Sequence, residues 1–257
     1  MMPNTIRRLR TGGVRRLVSM FVVTVVALSV TASAATVLAS TVAVAQTSSA
    51  AGPAPRAGSY QCSHGTCSGL VTISQKRSIY LTCRGSGSPT VVLVAGRSDQ
   101  GQIWQAPTGD NGRGPAVFSS VAGFTRVCAY DRPGTFTIRG DRVTATSSTP
   151  VSQPTTAADG VKDLHALLSA AKVPGPYLMV AHSWGGLIAR LYTSTYPDQV
   201  SGFVSVDTLT ELMYPELGSA ANQLLWLRLN NNYVTPLDPY HQERTDLLAS
   251  FQQVQLA

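Results

Sequence analysis

The stretch Tyr177–Thr208, YLMVAHSWGGLIARLYTSTYPDQVSGFVSVDT, decides the fold of this chain. It begins with a continuous apolar run, Tyr177–Ala181, which is typical of a parallel strand that is covered on both faces. Apolar side chains then recur at the spacing of a helix; they are Leu187, Ile188, Leu191 and Tyr192. A second apolar run ends the stretch. The pattern therefore predicts a strand, a helix and a second strand.

A serine lies where the first predicted strand meets the helix. Ser183 stands in Ala181-His182-Ser183-Trp184-Gly185, which differs at one position from the pattern G-x-S-x-G. That pattern forms a sharp turn that exposes the serine hydroxyl above a sheet edge, and it needs small residues two before and two after the serine. Ala181 and Gly185 are small, although Ala181 adds a methyl group to the usual glycine. A helix-capping serine is the alternative, but a cap does not explain the small residues on both sides.

Basic residues are concentrated at the N-terminus. The chain has 257 residues, and its 20 Lys and Arg against 13 Asp and Glu give a net charge of +7. Five of the arginines and none of the acids lie in residues 1–45, so the remainder has 15 basic and 13 acidic side chains, a net charge of +2. A basic surface for nucleic acid therefore has little support, and no nucleic-acid partner is expected.

Residues 1–45 are predicted to be a secretory signal peptide. An arginine-rich start is followed by the apolar stretch Leu17–Val30 and then by small residues. Two cleavage sites fit, Ala32-Ser33-Ala34 and Ala43-Val44-Ala45, and the second is favoured. An uncleaved membrane anchor is the alternative. The apolar character continues weakly to Ala45, and a membrane span needs about 20 apolar residues. We expect a secreted or cell-surface protein in which residues 46–68 form a flexible linker and N-terminal segment.

Strands and helices alternate along the rest of the chain. Two short runs, Leu70–Ser74 and Ile79–Cys83, predict a hairpin. Further strands are predicted at Thr90–Val94 and Thr125–Tyr130, and helical periodicity covers residues 155–172. Such alternation favours a mostly parallel sheet with helices on both faces, over residues 69–210. Residues 211–257 show no further buried strands. They are predicted to form helices at Ala221–Leu229 and Thr245–Val254, with a loop at Asn230–Asn232 after the first helix.

This order of elements resembles the α/β-hydrolase fold, and in detail it is similar to secreted bacterial α/β hydrolases of the esterase and lipase-like type. The resemblance rests on four blocks, Thr90–Gly96, Cys128–Gly134, Pro174–Gly186 and Tyr196–Asp207. It implies an exported serine hydrolase that cleaves a carboxylic ester, less readily an amide, in a small-molecule substrate. No cofactor and no metal are expected. Residues 211–257 resemble the start of a helical lid, so the C-terminal part of the family's fold is missing from the prediction.

The resemblance also assigns roles to residues. Ser183 would be the nucleophile that forms an acyl-enzyme, and the backbone N–H groups of Trp184 and Arg97 would hold the oxyanion. His241, the only histidine after Ser183, would be the base, and Asp207 the acid that orients it. The alternatives are a polar lid residue for His241 and a structural aspartate for Asp207. A catalytically silent or truncated domain without a complete triad is therefore the competing hypothesis.

Four cysteines fit an exported protein, in which disulfides are stable. Cys62 and Cys67 could close a small loop. In the resembled fold the strands of Cys83 and Cys128 are neighbours, which implies a second bridge. Four cysteines allow three pairings, and free buried thiols remain the alternative for this second pair. A zinc site at Cys62, His64 and Cys67 would lack a fourth ligand at the customary spacing.

Overall fold

A seven-stranded sheet forms the centre of the molecule. The computed structural model describes residues 58–108, 112–231 and 242–257. Its strands are β1 (Gln61–Ser63), β2 (Thr66–Ser74), β3 (Arg77–Arg84), β4 (Thr90–Val94), β5 (Val127–Asp131), β6 (Phe136–Arg139), β7 (Arg142–Ala145), β8 (Tyr177–Ser183) and β9 (Val200–Thr208). The large sheet has the order β1-β2-β3-β5-β4-β8-β9, whereas β6 and β7 form a separate hairpin.

Helices cover both faces of this sheet. They are α1 (Val117–Ala122), α2 (Ala157–Ala170), α3 (Gly185–Thr195), α4 (Met213–Glu216), α5 (Ala220–Asn231) and α6 (Leu247–Gln255), with 3-10 helices at Gly101–Gln105 and Pro197–Gln199. Helices α2, α3 and α6 pack together on one face, while α1 and the first 3-10 helix lie against β4 and β5 on the other. This arrangement confirms the predicted layers.

The central strands of the sheet are parallel and buried. β4, β5, β8 and β9 are parallel to one another, whereas β1, β2 and β3 form an antiparallel meander against β5. Every residue of β4 and of β5 is buried, as expected for central strands that have helices on both faces. The continuous apolar runs in the sequence reflect this position.

The longest helix begins at a capping box. The Thr156 hydroxyl accepts a hydrogen bond from the Asp159 N–H, and the Asp159 carboxylate accepts one from the Thr156 N–H. This reciprocal pair satisfies two N–H groups that would otherwise lack partners at a helix start. The predicted helix over residues 155–172 therefore starts two residues later, at Ala157, and it ends at Ala170.

Helix α6 belongs to the core layer of helices, which differs from the lid predicted for residues 211–257. Leu247, Phe251 and Val254 are buried in the same core as α2 and α3. The Asp246 carboxylate caps the helix by accepting a hydrogen bond from the Ala249 N–H at 3.0 Å. Because one face of α6 is apolar, the helix packs against its neighbours rather than over the sheet edge. Among the described residues after β9, only α4 and α5 have the exposed character of a lid.

The sheet starts earlier than the boundary predicted at residue 69. β1 and the first three residues of β2 lie within residues 46–68, and they pair with Cys62 opposite Cys67. Both expected disulfides are present, Cys62–Cys67 and Cys83–Cys128. Cys83 and Cys128 are direct partners on the antiparallel strands β3 and β5, where opposite residues lie within bridging distance.

Strand β9 forms one edge of the sheet among the described residues. It pairs with β8 along its length, and Val204 and Val206 are 42% and 40% exposed.

The predicted signal peptide lies outside the described residues. Within the part of the chain that the structure describes, no helix is long and apolar enough to cross a bilayer.

Candidate active site

The backbone at Ser183 adopts the conformation that a nucleophile elbow requires. Ser183 is the last residue of β8, and α3 begins two residues later at Gly185. The φ angle of Ser183 is 49°, in the left-handed region that residues other than glycine rarely adopt. Such strain persists only where the surrounding structure enforces it. The turn therefore places Ser183 at the end of a central parallel strand, in the way that the sequence pattern predicts.

Close approaches of backbone explain the small residues around the serine. A Cβ atom on Gly185 would lie 2.6 Å from the carbonyl oxygens of both Val94 and Ala95, so a side chain cannot fit there. A Cβ atom on Gly186 would collide with the side chain of Thr208 on β9. Ala181 is fully buried, and the core accommodates its methyl group. The elbow is thus confined between the ends of β4 and β9.

Trp184 occupies the N-terminus of α3. It is the N-cap residue of this 11-residue helix, and its carbonyl accepts a hydrogen bond from the Leu187 N–H at 3.1 Å. A helix N-terminus presents free N–H groups and a partial positive charge, which favour an anion. The predicted oxyanion donor at Trp184 is therefore in a suitable electrostatic environment. The second predicted donor, Arg97, lies in the loop that follows β4.

The structure brings Ser183 and Asp207 to neighbouring strand ends. Ser183 pairs with Thr208 across β8 and β9, and the Leu209 N–H donates to the Ser183 carbonyl at 3.0 Å. Asp207 is exposed, and its φ angle of 45° is again left-handed. His241, the predicted base, lies outside the described residues.

The described histidines occupy other environments. His64 lies in the turn between β1 and β2 and is within hydrogen-bond distance of Ser63. His165 stacks on Tyr196 with ring centroids 4.0 Å apart. His182 precedes the nucleophile, and its Nδ1 atom lies 2.8 Å from where a Cβ on Gly96 would be. In the described part of the chain, no cluster of three or more His, Cys, Asp or Glu could hold a metal ion.

A buried ion pair next to the site was not predicted from the sequence. The Nε of Arg132 donates to Glu243 Oε1 at 2.6 Å, and the two side chains are only 5% and 1% exposed. Burial alone would lower the pKa of Arg132, but the Glu243 carboxylate and Tyr130 together outweigh burial and raise it, so the guanidinium stays charged. A charged residue directly after a fully buried strand was the available signal for Arg132. Glu243 gave none, since it lies in a stretch without an apolar pattern.

Asp131 has a structural role at the end of β5. Its carboxylate accepts hydrogen bonds from the Gly101 N–H at 2.8 Å and from the Thr146 hydroxyl at 3.2 Å. Burial raises the pKa of Asp131 to about 6, although these bonds partly oppose the shift. Asp131 also lines a cavity of about 530 Å³, which Ser183 does not border. The cavity is therefore separate from the nucleophile.

Comparison with known proteins agrees with this architecture. A family model described as alpha/beta hydrolase fold matches residues 126–252, which include the nucleophile elbow. The chain has the α/β-hydrolase fold. The uncharacterized protein YqjL of Bacillus subtilis is 30% identical over 139 residues, which cover 54% of this chain and 44% of that protein. The probable transporter efuK of Hormonema carpetanum is 26% identical over 136 residues, 52% of this chain and 17% of that protein.

The chain spans less than half the length of these curated relatives. Solved structures with a similar fold include a haloalkane dehalogenase from Agrobacterium tumefaciens, which is 16% identical and has a TM-score of 0.45. The match covers 75% of this chain and 62% of that chain. A thermophilic esterase from Thermogutta terrifontis is 19% identical, with 58% and 51% covered and a TM-score of 0.41. One fold hosts many chemistries, so the fold alone assigns no activity to this chain.

Proposed function

We propose that this chain is an exported serine hydrolase that cleaves a carboxylic ester, less readily an amide, through an acyl-enzyme on Ser183. The observation that supports it best is the backbone of Ser183, whose φ of 49° is left-handed and which lies two residues before a glycine that packs against the end of β4. A capping serine would need neither this strained conformation nor the contact. Strain at a polar residue on a strand end is characteristic of functional sites.

In this proposal the Ser183 hydroxyl attacks the carbonyl carbon of the ester while His241 accepts its proton. The negative charge that develops on the carbonyl oxygen is received by the N–H groups of Trp184 and Arg97. The ester C–O bond then breaks, and His241 returns the proton to the leaving alcohol. Water attacks the acyl-enzyme with His241 again as base, which releases the acid and regenerates Ser183. Asp207 would orient and stabilise the His241 imidazolium.

Export is the second part of the proposal. The two disulfides are compatible with an extracellular protein, since bridges of this kind persist in oxidising compartments. The basic and apolar residues 1–45 would act as the leader, with cleavage after Ala45. The substrate would then be a small-molecule ester encountered outside the cytoplasm. An N-terminus at Gln46, determined by mass spectrometry of the secreted protein, tests this part.

A catalytically silent domain is the second candidate. Asp207 is exposed on the edge strand β9 rather than enclosed, and the described histidines lie in other environments. A chain whose elbow is intact but has no operating base would fold normally and bind ligands without turning them over. This candidate predicts no hydrolysis above the level that an isolated oxyanion site can give.

Ester hydrolysis by matched serine variants separates the two candidates. Residues 46–257 are assayed with p-nitrophenyl butyrate, and Ser183→Ala is compared with Ser194→Ala. Ser194 is exposed on the same helix, α3, and bonds only to the Arg190 carbonyl among the described contacts. We expect Ser183→Ala to lower kcat by about 10³-fold or more and Ser194→Ala to leave it unchanged. Turnover that survives in Ser183→Ala would refute the proposed function.

A further inference from the structure

The buried pair of Arg132 and Glu243 is expensive if its only role is stability. Two contacts join the side chains, Nε to Oε1 at 2.6 Å and Nη2 to Oε2 at 3.1 Å. Removing two charges from water costs several kcal/mol per ion, and buried pairs often add nothing to stability. Because both charged side chains are buried away from water, we look for a role of the pair other than stability. The partners of the remaining polar atoms indicate what that role is.

The guanidinium of Arg132 holds two consecutive peptide groups. Nη1 donates to the Ala95 carbonyl at 2.9 Å, and Nη2 donates to the Gly96 carbonyl at 2.5 Å. In a trans peptide the C=O and the following N–H point in opposite directions. Because the Gly96 carbonyl faces Arg132, the N–H of Arg97 faces away from it. The same geometry turns the N–H of Gly96 away from the buried pair.

Glu243 holds the next residue of the same loop. Its Oε2 atom accepts a hydrogen bond from the Ser98 N–H at 2.6 Å. The Ser98 carbonyl accepts one from the Phe136 N–H at 2.9 Å, and the Glu243 N–H donates to the Gly134 carbonyl at 2.9 Å. The bond from the Ser98 N–H to the Glu243 carboxylate is charge-assisted, and such bonds are about twice as strong as neutral ones. The loop from Ala95 to Ser98 is therefore held from one side at Ala95, Gly96 and Ser98.

The opposite side of the loop is closed by the elbow itself. His182 lies so near Gly96 that a Cβ there would be 2.8 Å from its Nδ1 atom, and a Cβ on Gly185 would be 2.6 Å from the Ala95 carbonyl oxygen. Rotation of these peptides would drive a carbonyl or a side chain into β8 or α3. The loop thus has one orientation, set by the ion pair behind it and the elbow in front of it.

We propose that Arg132 and Glu243 are positioning residues that set the direction of the Arg97 N–H as an oxyanion donor. This inference rests on the proposed function, because a donor matters only if an oxyanion forms at Ser183. Glu243 follows the elbow by 60 residues in the chain, so the segment that carries α6 completes the site. Neither side chain touches the substrate in this account. Their contribution is preorganisation, which acts on the transition state more than on the bound substrate.

Glu243→Gln tests the inference with Asp163→Asn as its control. Asp163 forms a comparable bidentate pair with Arg77, at 2.7 and 2.6 Å, and none of its described contacts reaches the loop. With p-nitrophenyl butyrate we expect kcat of Glu243→Gln to fall by about 10- to 10³-fold, with KM within about twofold of wild type. Asp163→Asn is expected to keep both parameters. A folded Glu243→Gln protein with wild-type kcat, or one that changes KM alone, would overturn the proposal.

Amide hydrogen exchange gives a readout that needs no activity. Glu243→Gln replaces the charged carboxylate with one neutral acceptor oxygen and a donor, so it should raise the exchange rate in the peptide that contains Arg97 and Ser98 by about tenfold, and Asp163→Asn should not. Unchanged exchange would overturn the proposal even if kcat falls. If Glu243→Gln fails to fold, Arg132→Lys keeps the charge but loses the planar fork, and the same loss of kcat at constant KM is expected. A wild-type protein that hydrolyses no ester would refute the proposed function, while faster exchange would still establish the holding of the loop.

Discussion

At the scale of single residues, the fold raises the pKa of the buried carboxyl group of Asp131, and this shift can be measured through the pH dependence of stability. Its pKa rises from 3.8 to about 6 because the carboxyl group is buried. The folded state therefore holds a proton that the unfolded chain has already released between about pH 4 and pH 6. The sign follows directly: the contribution of Asp131 to the free energy of unfolding decreases as pH rises through this window.

Asp131→Asn should remove this dependence. One pKa unit corresponds to about 1.4 kcal/mol, so the free energy of unfolding of wild type, relative to the variant, should fall by roughly 3 kcal/mol between about pH 3.5 and pH 7. Urea denaturation at several pH values measures it. Asp198→Asn, at an exposed position, is the control and should run parallel to wild type. A constant difference between wild type and Asp131→Asn would show that the carboxyl group titrates normally.

The residues of the site differ in how far the sequence reveals them. The elbow conformation at Ser183 was predictable because a tight turn imposes small neighbours at fixed offsets, a constraint that is local in the chain. The role of Ser183 as nucleophile stays a prediction. Glu243 was not, since it meets Arg132 over 111 positions and nothing near it in sequence requires a charge. Long-range polar pairs of this kind depend on the finished fold. Asp207 and Arg97 were placed by resemblance, and their roles stay predictions.

At the scale of elements, α6 links the C-terminal segment to the core. Phe251 is 1% exposed and packs near Tyr214 and Trp226, with ring centroids 5.7 and 5.9 Å away. Phe251→Ala should lower the free energy of unfolding by about 3–5 kcal/mol, through lost burial and a cavity. Leu256→Ala, at a side chain that is 90% exposed just beyond α6, should change it by less than about 0.5 kcal/mol. Equal effects of the two variants would mean that α6 does not pack as described.

Periodicity predicted those elements that bury a regular apolar face. The strand at Thr90–Val94 matches in full, and α2 and α6 match within about two residues at each end. The hairpin of β6 and β7 was missed, because its strands are four residues long and largely polar or exposed. Asn230 and Asn231 were expected in a loop but extend α5. Short exposed elements give no hydrophobic signal that separates them from loops.

At the scale of the whole molecule, the two disulfides close loops of very different length. Cys83–Cys128 spans 45 positions, whereas Cys62–Cys67 spans five. In the chain-entropy account the longer bridge should contribute about 4 kcal/mol to the free energy of unfolding, and the shorter one about 2 kcal/mol. Replacing each pair by alanines and measuring guanidinium denaturation tests this order. A larger loss from the Cys62 and Cys67 variant would contradict it.

The overall topology followed from the alternation of elements and the position of the elbow, because short right-handed connections leave few arrangements for a parallel sheet. What the sequence did not establish is the part of the site that comes from residues 211–257. There the apolar pattern is weak in α5 and the predicted base lies outside the described residues. The proposed function accordingly depends on Ser183 being an activated nucleophile.

Labelling with a fluorophosphonate probe tests that claim most directly. Residues 46–257 are incubated with the probe, digested, and the modified side chain is identified by peptide mass. Fluorophosphonates react with serine hydroxyls that a base has activated and that face an oxyanion site. We expect an adduct on the Ser183 oxygen of the wild-type protein and no adduct at residue 183 of Ser183→Ala. A cooperatively folded wild-type chain that stays unlabelled at Ser183 would contradict it.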